Sequence, residues 1–366
     1  MTELEALISL NQVPRTGPVR IRRLLEFFGD AVSVLKASPG DLSRVKGIGP
    51  ETATLIASWQ EHADPSSELS LAAERDIRIL DRAHPDYPAA LRDAFDAPPL
   101  LYVWGTLEER DRHSISIVGS RRLTHYGRDT ARKFSYQLAS AGLTIISGLA
   151  RGIDTAAHEG AVAAEGRTIA VLGSGLMQVY PPENMDLATR IASGQGAVVS
   201  EFPLRTPPDR QTFPQRNRIV AHWGSALLVV ESPARSGSLI TANLAIEANR
   251  QLYAVPGPID RPTSAGCHQL IRDGATLVTD PSQILADFQE LPLQDTPDLP
   301  ARPQPDLSPE EKIIHAALTG NELSLDELST ITGQPVSTLA VHLMRMELNQ
   351  MIITLPGQRY RLRGLF

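Results

Sequence analysis

Six short apolar runs, rich in β-branched residues, follow one another between residues 113 and 290 and constrain the fold more than any other feature. They are SISIVGS, LTIISGLA, TIAVLGSG, AVVSEF, ALLVVES and LYAVPG. Helix-like segments separate them, among them YGRDTARKFSYQLASAG, GIDTAAHEGAVAAEG and SLITANLAIEANR. Strands that are apolar throughout must be covered on both faces, and parallel neighbours need a crossover helix. The pattern therefore predicts a doubly wound α/β domain over residues 113–290.

The segments before this domain have a different pattern. Residues 1–62 predict short helices, and VRIRRLLEFFG has apolar positions at helical spacing and stops at Gly29. VKGIGPETATLIASW predicts a tight glycine turn that opens a helix with Pro50 in its first turn. This stretch looks like a helix-hairpin-helix or SAM-like domain, whose glycines let backbone N–H groups approach a DNA phosphate. A helical packing module with a tight turn fits it equally. Residues 63–112, with PPLLYVWGTL near their end, predict a connecting region of strand and loop.

The segments after the α/β domain predict a linker and a small third domain. Residues 291–307, LPLQDTPDLPARPQPDL, are proline-rich and polar, which is typical of a semi-rigid linker. Residues 308–366 predict three helices and a hairpin, the pattern of a winged-helix domain. The helix over 335–349 carries one base, Arg345, and one acid, Glu347, whereas a groove-reading helix needs more donors. The sequence thus favours protein contact, or no nucleic-acid role, for that helix. The hairpin keeps a DNA contact open through Arg359, Arg361 and Arg363.

Composition indicates the cellular compartment and the ligands that suit this chain. Its single cysteine, Cys267, allows no disulfide within the chain, so we expect a reducing cytoplasm. The first thirty residues show no signal-peptide pattern, and no run of about 18 apolar residues predicts a membrane span. The formal net charge of -7 argues against indiscriminate adhesion to nucleic acid, although local fields decide binding.

Four polar turns of the α/β domain are candidates for a ligand site, because ligands bind outside the carboxyl ends of parallel strands. They are GSRR (119–122), SGLARGID (147–154), FPQRNR (213–218) and SGS (236–238). Serine and glycine cap helices in any α/β protein, so one such turn proves little. Arginine in three of the four, together with small residues at a helix N-terminus, indicates a site for a polyanion.

Motifs for catalysis are weak. The sequence contains no G-x-x-x-x-G-K-[ST] loop for phosphates, and GSGLMQ lacks the third glycine of a dinucleotide fingerprint. Cys267 and His268 are sequence neighbours, which is a poor arrangement for a dyad. His158 and Glu159 have no second histidine at metal spacing, and no serine lies in a nucleophile elbow. We therefore expect no catalytic residues, no metal, no cofactor and no enzymatic activity.

Five ordered motifs carry a resemblance to a known family. IVGSRRLTHYG, SGLARGID, FPQRNRIVA, VVESPARSGSLITA and YAVPG resemble those of the DNA-processing protein A family (DprA, also called Smf). The resemblance covers the whole chain and implies an extended Rossmann-like core between an N-terminal helical domain and a winged-helix domain. It implies a non-enzymatic homodimer that binds single-stranded DNA, protects incoming strands and loads RecA onto them in natural transformation. Single-stranded DNA-binding protein is a further candidate partner.

Residues carried over by motif form a candidate DNA-binding site. They are Ser120, Arg121, Arg210, Phe213, Arg216, Asn217 and Arg218, joined by the helix start at Ser236, Gly237 and Ser238. Single strands are held by a positive groove along the phosphates and by aromatic faces on which bases stack. Arg121 and Arg210 would supply charge, and Phe213 would stack a base. Helical spacing turns one face of the 216–218 run inward, so which of its two arginines faces DNA is left open.

Two other functions remain alternatives at this point. One is a nucleotide-processing enzyme resembling the phosphoribohydrolases of cytokinin activation, although their Pro-Gly-Gly-x-Gly-Thr turn is missing here. The other is an interaction scaffold for which DNA binding is incidental. A comparison of short single-stranded and duplex oligonucleotides separates these readings.

Overall fold

The computed structural model describes residues 1–288, 307–319, 321–348, 351–355 and 357–362. The predicted linker, except for its last residue, and Arg363 lie outside the described residues. The chain divides into two compact units, Met1–Leu293 and Gln294–Phe366, which we describe separately. No helix of the described ranges is long and apolar enough to cross a membrane.

The larger unit is built on a nine-stranded sheet. Its strands are β1 (Ile77–Asp81), β2 (Leu100–Gly105), β3 (Ser114–Val118), β4 (Thr144–Ser147), β5 (Thr168–Val171), β6 (Gly196–Ser200), β7 (Ala226–Val229), β8 (Gln251–Ala254) and β9 (Thr276–Leu277). Their order is β1-β2-β6-β5-β4-β3-β7-β8-β9. Neighbours from β6 to β9 are parallel, whereas β1 pairs with β2, and β2 with β6, in the antiparallel sense. The six apolar runs became β3 to β8, so the predicted doubly wound fold is confirmed.

Helices cover both faces of the sheet. Those of the larger unit are α1 (Glu3–Gln12), α2 (Pro18–Phe28), α3 (Ala31–Lys36), α4 (Pro39–Leu42), α5 (Pro50–Ala57), α6 (Pro65–Ala73), α7 (Ala89–Arg92), α8 (His125–Ser140), α9 (Ile153–Ala163), α10 (Met185–Arg190), α11 (Thr212–Trp223), α12 (Gly237–Glu247), α13 (Ala265–Arg272) and α14 (Pro281–Asp287). Helices α8, α9 and α14 pack on one face around Ile117 and Leu228, which are fully buried. Helices α11, α12 and α13 pack on the opposite face around Ile146 and Leu227. Adjacent residues of β7 thus point to opposite cores, which is why its sequence is apolar throughout.

The region over 63–112 contributes more structure than the predicted strand and loop. It contains α6, α7, β1 and β2, so the sheet begins at Ile77 and not at the start of the predicted α/β domain. The N-terminal helices share a core with β2 and β6, in which Tyr102 and Val198 are fully buried. Asn11 donates its amide N–H to the carbonyl of Glu201 at 2.9 Å, which ties α1 to the segment after β6. The N-terminal helices are therefore packed onto the sheet itself.

The predicted glycine hairpin lies between α4 and α5. Gly47 adopts a φ of +89°, a conformation that favours glycine. Arg20 donates to the carbonyl of Gly47 at 3.1 Å, and Arg23 donates to that of Lys46 at 3.2 Å. The hairpin is thus fastened to α2 through its carbonyl oxygens.

The smaller unit has the predicted winged-helix fold. Its elements are α15 (Pro309–Leu318), β10 (Leu323–Ser324), α16 (Leu325–Thr332), α17 (Val336–Leu348), β11 (Ile352–Leu355) and β12 (Arg359–Leu362), with strand order β10-β12-β11. Leu328, Leu339 and Leu343 lie in its core. In the wing, Arg359 lies 3.7 Å from the carboxylate of Glu327. Helix α17 exposes apolar side chains such as Val341 and Met344, as expected for a helix with few donors.

Candidate nucleic-acid interface

The direction of strand winding reverses at β3. Strand β3 lies between β4 and β7. The connection that leaves β3 passes through α8 on one face of the sheet, and the connection that leaves β7 passes through α12 on the opposite face. The loops after β3 (residues 119–124) and after β7 (residues 230–236) therefore part at the carboxyl edge of the sheet. In doubly wound folds ligands bind at this topological switch point.

The loops after β3 and β7 are tied together by Glu231. Its carbonyl accepts the N–H of Ser120 at 2.7 Å, and its Oε2 accepts the N–H and the hydroxyl of Thr124, both at 3.1 Å. A Cβ at Gly127 would lie 1.8 Å from the same Oε2, so a side chain there would displace the carboxylate. Ser120 is buried, and its hydroxyl bonds with the backbone of Arg122. The predicted site residue Ser120 therefore shapes the loop through its own hydrogen bonds.

Two arginines and two aromatic rings form a continuous line on this edge, which we call the Arg–aromatic row: Arg121, Phe213, Tyr180 and Arg151. The guanidinium carbon of Arg121 lies 4.9 Å from the Phe213 ring centroid. The rings of Phe213 and Tyr180 are 5.6 Å apart at 48°, and the guanidinium carbon of Arg151 lies 5.4 Å from the Tyr180 ring. Cation–π contacts hold the exposed guanidinium groups over the rings. The sequence prediction brought Arg121 and Phe213 together correctly but missed Tyr180.

Gly173 allows the ring of Phe213 to pack closely against the backbone of the loop after β5. A Cβ at Gly173, two residues after the end of β5, would lie 2.7 Å from the Cδ1 atom of Phe213. Thr212, the first residue of α11, also donates its hydroxyl to the Gly173 carbonyl. The loop after β5 thus positions the start of α11, and Phe213 is left half-buried.

Arg216 and Arg218 are both interior, which corrects the expectation that one of them faces DNA. Arg216 is 3% exposed, and its Nη1 donates to the carbonyls of Gly148 and Val171 at the ends of β4 and β5. Arg218 is 7% exposed and pairs with buried Glu201, with Asp96 at 3.6 Å. Both guanidinium groups find oxygen partners inside the fold, so they hold α11 against the neighbouring strands and loops.

Buried Asp154 accompanies Arg216. Its carboxylate accepts the N–H groups of Gly148 at 3.2 Å and Ala150 at 3.4 Å. Burial raises the pKa of Asp154, and the charge of Arg216 opposes that rise. Burial in turn lowers the pKa of Arg216 to about 10, which leaves it charged at neutral pH. Both backbone groups of Gly148 are therefore held, its N–H by Asp154 and its carbonyl oxygen by Arg216.

The remaining predicted residues lie at the same edge in different settings. Arg210 is exposed in the loop before α11, and Asn217 is half-buried and accepts a hydrogen bond from Nε of Arg216 at 3.2 Å. Ser236 caps α12 by accepting the N–H of Ser238 at 3.3 Å. The Ser238 hydroxyl is buried and donates to Ser232 at 2.9 Å, while Gly237 is exposed.

The carboxyl edge of the sheet is basic although the chain is acidic. The loops after β3, β4, β6, β7 and β8 carry seven exposed arginines, which are Arg121, Arg122, Arg151, Arg205, Arg210, Arg235 and Arg261. The loops of this edge, including the one after β5, carry three exposed acids, Glu183, Asp209 and Asp260. Arg121 makes no ion pair with a carboxylate among the residues that the structure describes. The edge therefore presents an excess of positive charge to an approaching anion.

Cys267 and His158, which were weighed above as a possible nucleophile and a possible metal ligand, lie in the interior. Burial raises the pKa of the Cys267 thiol to about 12 and lowers the pKa of His158 to about 3. Nδ1 of His158 lies 2.6 Å from the hydroxyl of Thr168. Within the described ranges, no three histidine, cysteine or acidic side chains are grouped so that they could hold a metal ion.

These features define a modular α/β protein with a basic, aromatic-lined edge on its main sheet and a separate winged-helix unit. The sequence model of DNA recombination-mediator protein A matches residues 78–289, and that of the DprA winged helix domain matches residues 298–358. The chain belongs to the DprA/Smf family of DNA-processing proteins.

Known relatives agree with this assignment. The chain is 34% identical to Protein Smf of Synechocystis sp., over 97% of this chain and 98% of the relative. The crystal structure of DNA processing protein A from Streptococcus pneumoniae superposes with a TM-score of 0.68 at 34% identity, covering 78% of this chain and 98% of that one. DNA processing protein A from Helicobacter pylori, whose structure concerns its single-stranded DNA binding mode, gives a TM-score of 0.53 at 26% identity, covering 58% and 95%.

Proposed function

We propose that this protein binds single-stranded DNA along the carboxyl edge of its main sheet and delivers it to the recombinase RecA in natural transformation or recombination. The observation that carries the proposal is the exposed Arg121 guanidinium over the Phe213 ring at the topological switch point. The Helicobacter pylori relative, described as binding single-stranded DNA, supports the same ligand class.

Binding would use charge and stacking together. Arg121 and Arg210 would contact phosphates, and exposed Gly237 would offer its backbone at the start of α12. A base can stack on the Arg121 guanidinium, or on the Phe213 ring once Arg121 turns toward a phosphate. Ser120, Asn217, Ser236 and Ser238 would fix the loops that hold these groups. Arg216 and Arg218 would act through the positions of the loops and of α11.

The family resemblance supplies the biological part of the proposal. It comprises protection of incoming strands, RecA and single-stranded DNA-binding protein as partners, a homodimer, the cytoplasm as the place of action, and a non-enzymatic role. Each of these claims could be wrong while the claim of DNA binding is right, so each needs its own measurement.

Fluorescence anisotropy with a labelled short oligo-dT and a duplex of equal length tests the central claim. We expect tighter binding of the single strand, with an affinity that falls steeply with salt. Equal or tighter binding of the duplex, or no binding of either, would contradict the proposal.

Three further measurements test the biological part. Faster RecA filament formation on strands coated with single-stranded DNA-binding protein is expected, and no acceleration would remove the loader role. Sedimentation equilibrium tests the homodimer. Release of free base from a nucleoside monophosphate would restore the phosphoribohydrolase alternative.

A further inference from the structure

The Arg–aromatic row is longer than the proposed binding site requires. Arg121 and Phe213 account for one phosphate and one base, but the row continues through Tyr180, in the loop after β5, to Arg151, in the loop after β4. Tyr180 is half-buried and Arg151 is exposed, so both can be reached from solvent. Arg151 also donates from Nη1 to the Tyr180 hydroxyl at 3.1 Å, which fixes the guanidinium beside the ring.

The two loops that carry this extension are locked to each other. The side-chain amide of Asn184, which is buried, donates to the carbonyl of Leu149 at 2.9 Å and to the hydroxyl of Thr155 at 2.8 Å. These bonds connect the segment after Tyr180 to the segment that flanks Arg151. The second ring and the second guanidinium are therefore held in place in the unbound protein.

An acid occupies the outer end of the row. Glu183 pairs with Arg151 through both carboxylate oxygens, one of them 3.1 Å from Nη2. The side chains of Arg151 and Glu183 are 51% and 53% exposed, so water and salt screen the pair and little free energy is needed to open it. A phosphate is a bidentate partner for arginine just as a carboxylate is.

We propose that Tyr180 and Arg151 form a second nucleotide subsite, and that Glu183 holds the phosphate position of this subsite until DNA displaces it. The proposal rests on the proposed single-stranded DNA binding and extends it by one base and one phosphate. Tyr180 stacks the additional base, and Arg151 passes from the carboxylate of Glu183 to the DNA backbone. Glu183 is therefore an internal competitor of the strand.

The decisive variant is Glu183→Gln, which removes the competing charge and leaves Arg151 free for phosphate. Breaking an exposed ion pair costs little, so oligo-dT affinity should rise by about two- to fivefold at low salt. The slope of log affinity against log salt should steepen by up to about 0.7, since one more phosphate is neutralised more fully. The matched control is Glu109→Gln, which breaks an exposed pair with Arg112 ahead of β3 at the opposite sheet edge. We expect no change in affinity from this control.

Two further substitutions complete the experiment. Tyr180→Ala should weaken binding by about 5- to 150-fold if a base stacks there, whereas Tyr180→Phe, which keeps the ring, should not. Arg151→Ala should weaken binding, and Glu183→Gln should then give no further gain in that background. Thermal unfolding of each variant checks that it is folded. If Tyr180→Ala does not fold, the comparison of Glu183→Gln, Arg151→Ala and the double variant still decides the proposal.

The outcomes separate this proposal from the function on which it rests. If wild-type protein does not bind oligo-dT, the proposed function fails. If the wild type binds and Phe213→Ala weakens it, while Tyr180→Ala, Arg151→Ala and Glu183→Gln all leave affinity and salt slope unchanged, only the second subsite is overturned. A loss of affinity in Glu183→Gln would likewise overturn the competitor role, because the carboxylate would then be helping the strand to bind.

Discussion

The interior position of Arg216 leads to a sharp prediction for Arg216→Met. The substitution removes a guanidinium that donates to two buried carbonyls, those of Gly148 and Val171. A methionine has similar length but no donor, so both acceptors lose their partner, and Asp154 loses a neighbouring positive charge. The variant should therefore be less stable, while its affinity for single-stranded DNA per folded molecule should be unchanged.

The size of the effect follows from burial. Removing one partner from a buried charge network destabilises a protein by about 3–5 kcal/mol, because the remaining polar groups stay buried without compensation. For a unit of this length each kcal/mol lowers the unfolding temperature by about 2 °C, so the expected fall is about 6–10 °C.

The loss should also depend on pH, through Asp154. Burial already raises the pKa of this carboxyl in the folded protein, and removal of Arg216 raises it further. An acid whose folded pKa lies above its unfolded pKa adds stability as the pH falls through the folded pKa. The gap in stability between wild type and Arg216→Met should therefore be narrower at about pH 5 than at about pH 8. Arg216 itself, with a pKa of about 10, stays charged at both and does not contribute to this difference.

Thermal unfolding followed by circular dichroism, together with oligo-dT anisotropy, measures both quantities. Arg122→Met is the control, since Arg122 is exposed at the same edge and its removal should leave the unfolding temperature unchanged. An Arg216→Met protein with wild-type stability but lost DNA affinity would refute the reasoning, because the guanidinium would then contact DNA. An equal loss of stability at both pH values would refute the coupling to Asp154.

The other predictions concern the exposed residues of the site and one buried base. Arg121→Ala and Arg210→Ala should each weaken oligo-dT binding and flatten its salt slope by about 0.7, and unchanged slopes would remove these phosphate contacts. Phe213→Ala should cost about 1–3 kcal/mol in affinity, with Phe213→Trp as the control that keeps a stacking face; reduced stability with intact binding would mark the ring as structural. His158 has a folded pKa of about 3, so wild-type stability should fall as pH drops from about 6.5 toward 3. In urea titrations, the free energy of unfolding of His158→Gln should fall by about 1.4 kcal/mol less per pH unit over that window than that of the wild type. The same pH dependence in both proteins would contradict the assignment.

The central strands could be predicted from sequence because each carries its own signal. A strand buried on both faces must be apolar at every position, as in β3 and β7, and a turn residue follows it. The proximity of Arg121 and Phe213 was also predictable, because the loops that follow parallel strands lie at one edge of the sheet. Strand β1, IRILD, carries a weaker pattern, and its place in the sheet depends on antiparallel pairing with β2. That partner choice is a property of the assembled fold, so the start of the sheet was missed.

The arginines of α11 show why the rest of the site could not be predicted. Arg216 is interior because carbonyls 68 and 45 residues away, at Gly148 and Val171, accept its hydrogen bonds. Arg218 is interior because Glu201 lies buried beside it. A sequence displays the charge of such side chains but not the distant oxygens that allow burial. Tyr180 was missed for a related reason, since its value to the site depends on where two separate loops meet.

The concentration of exposed arginines at one edge of an acidic chain has a kinetic consequence. The formal net charge of the chain is -7, but the arginine-bearing edge attracts a strand from a distance of about one Debye length. Productive collisions are thereby selected by orientation before any base is stacked. Added salt should accordingly slow the association of DNA more than it speeds its release, because long-range guidance is screened while stacking on the rings is not.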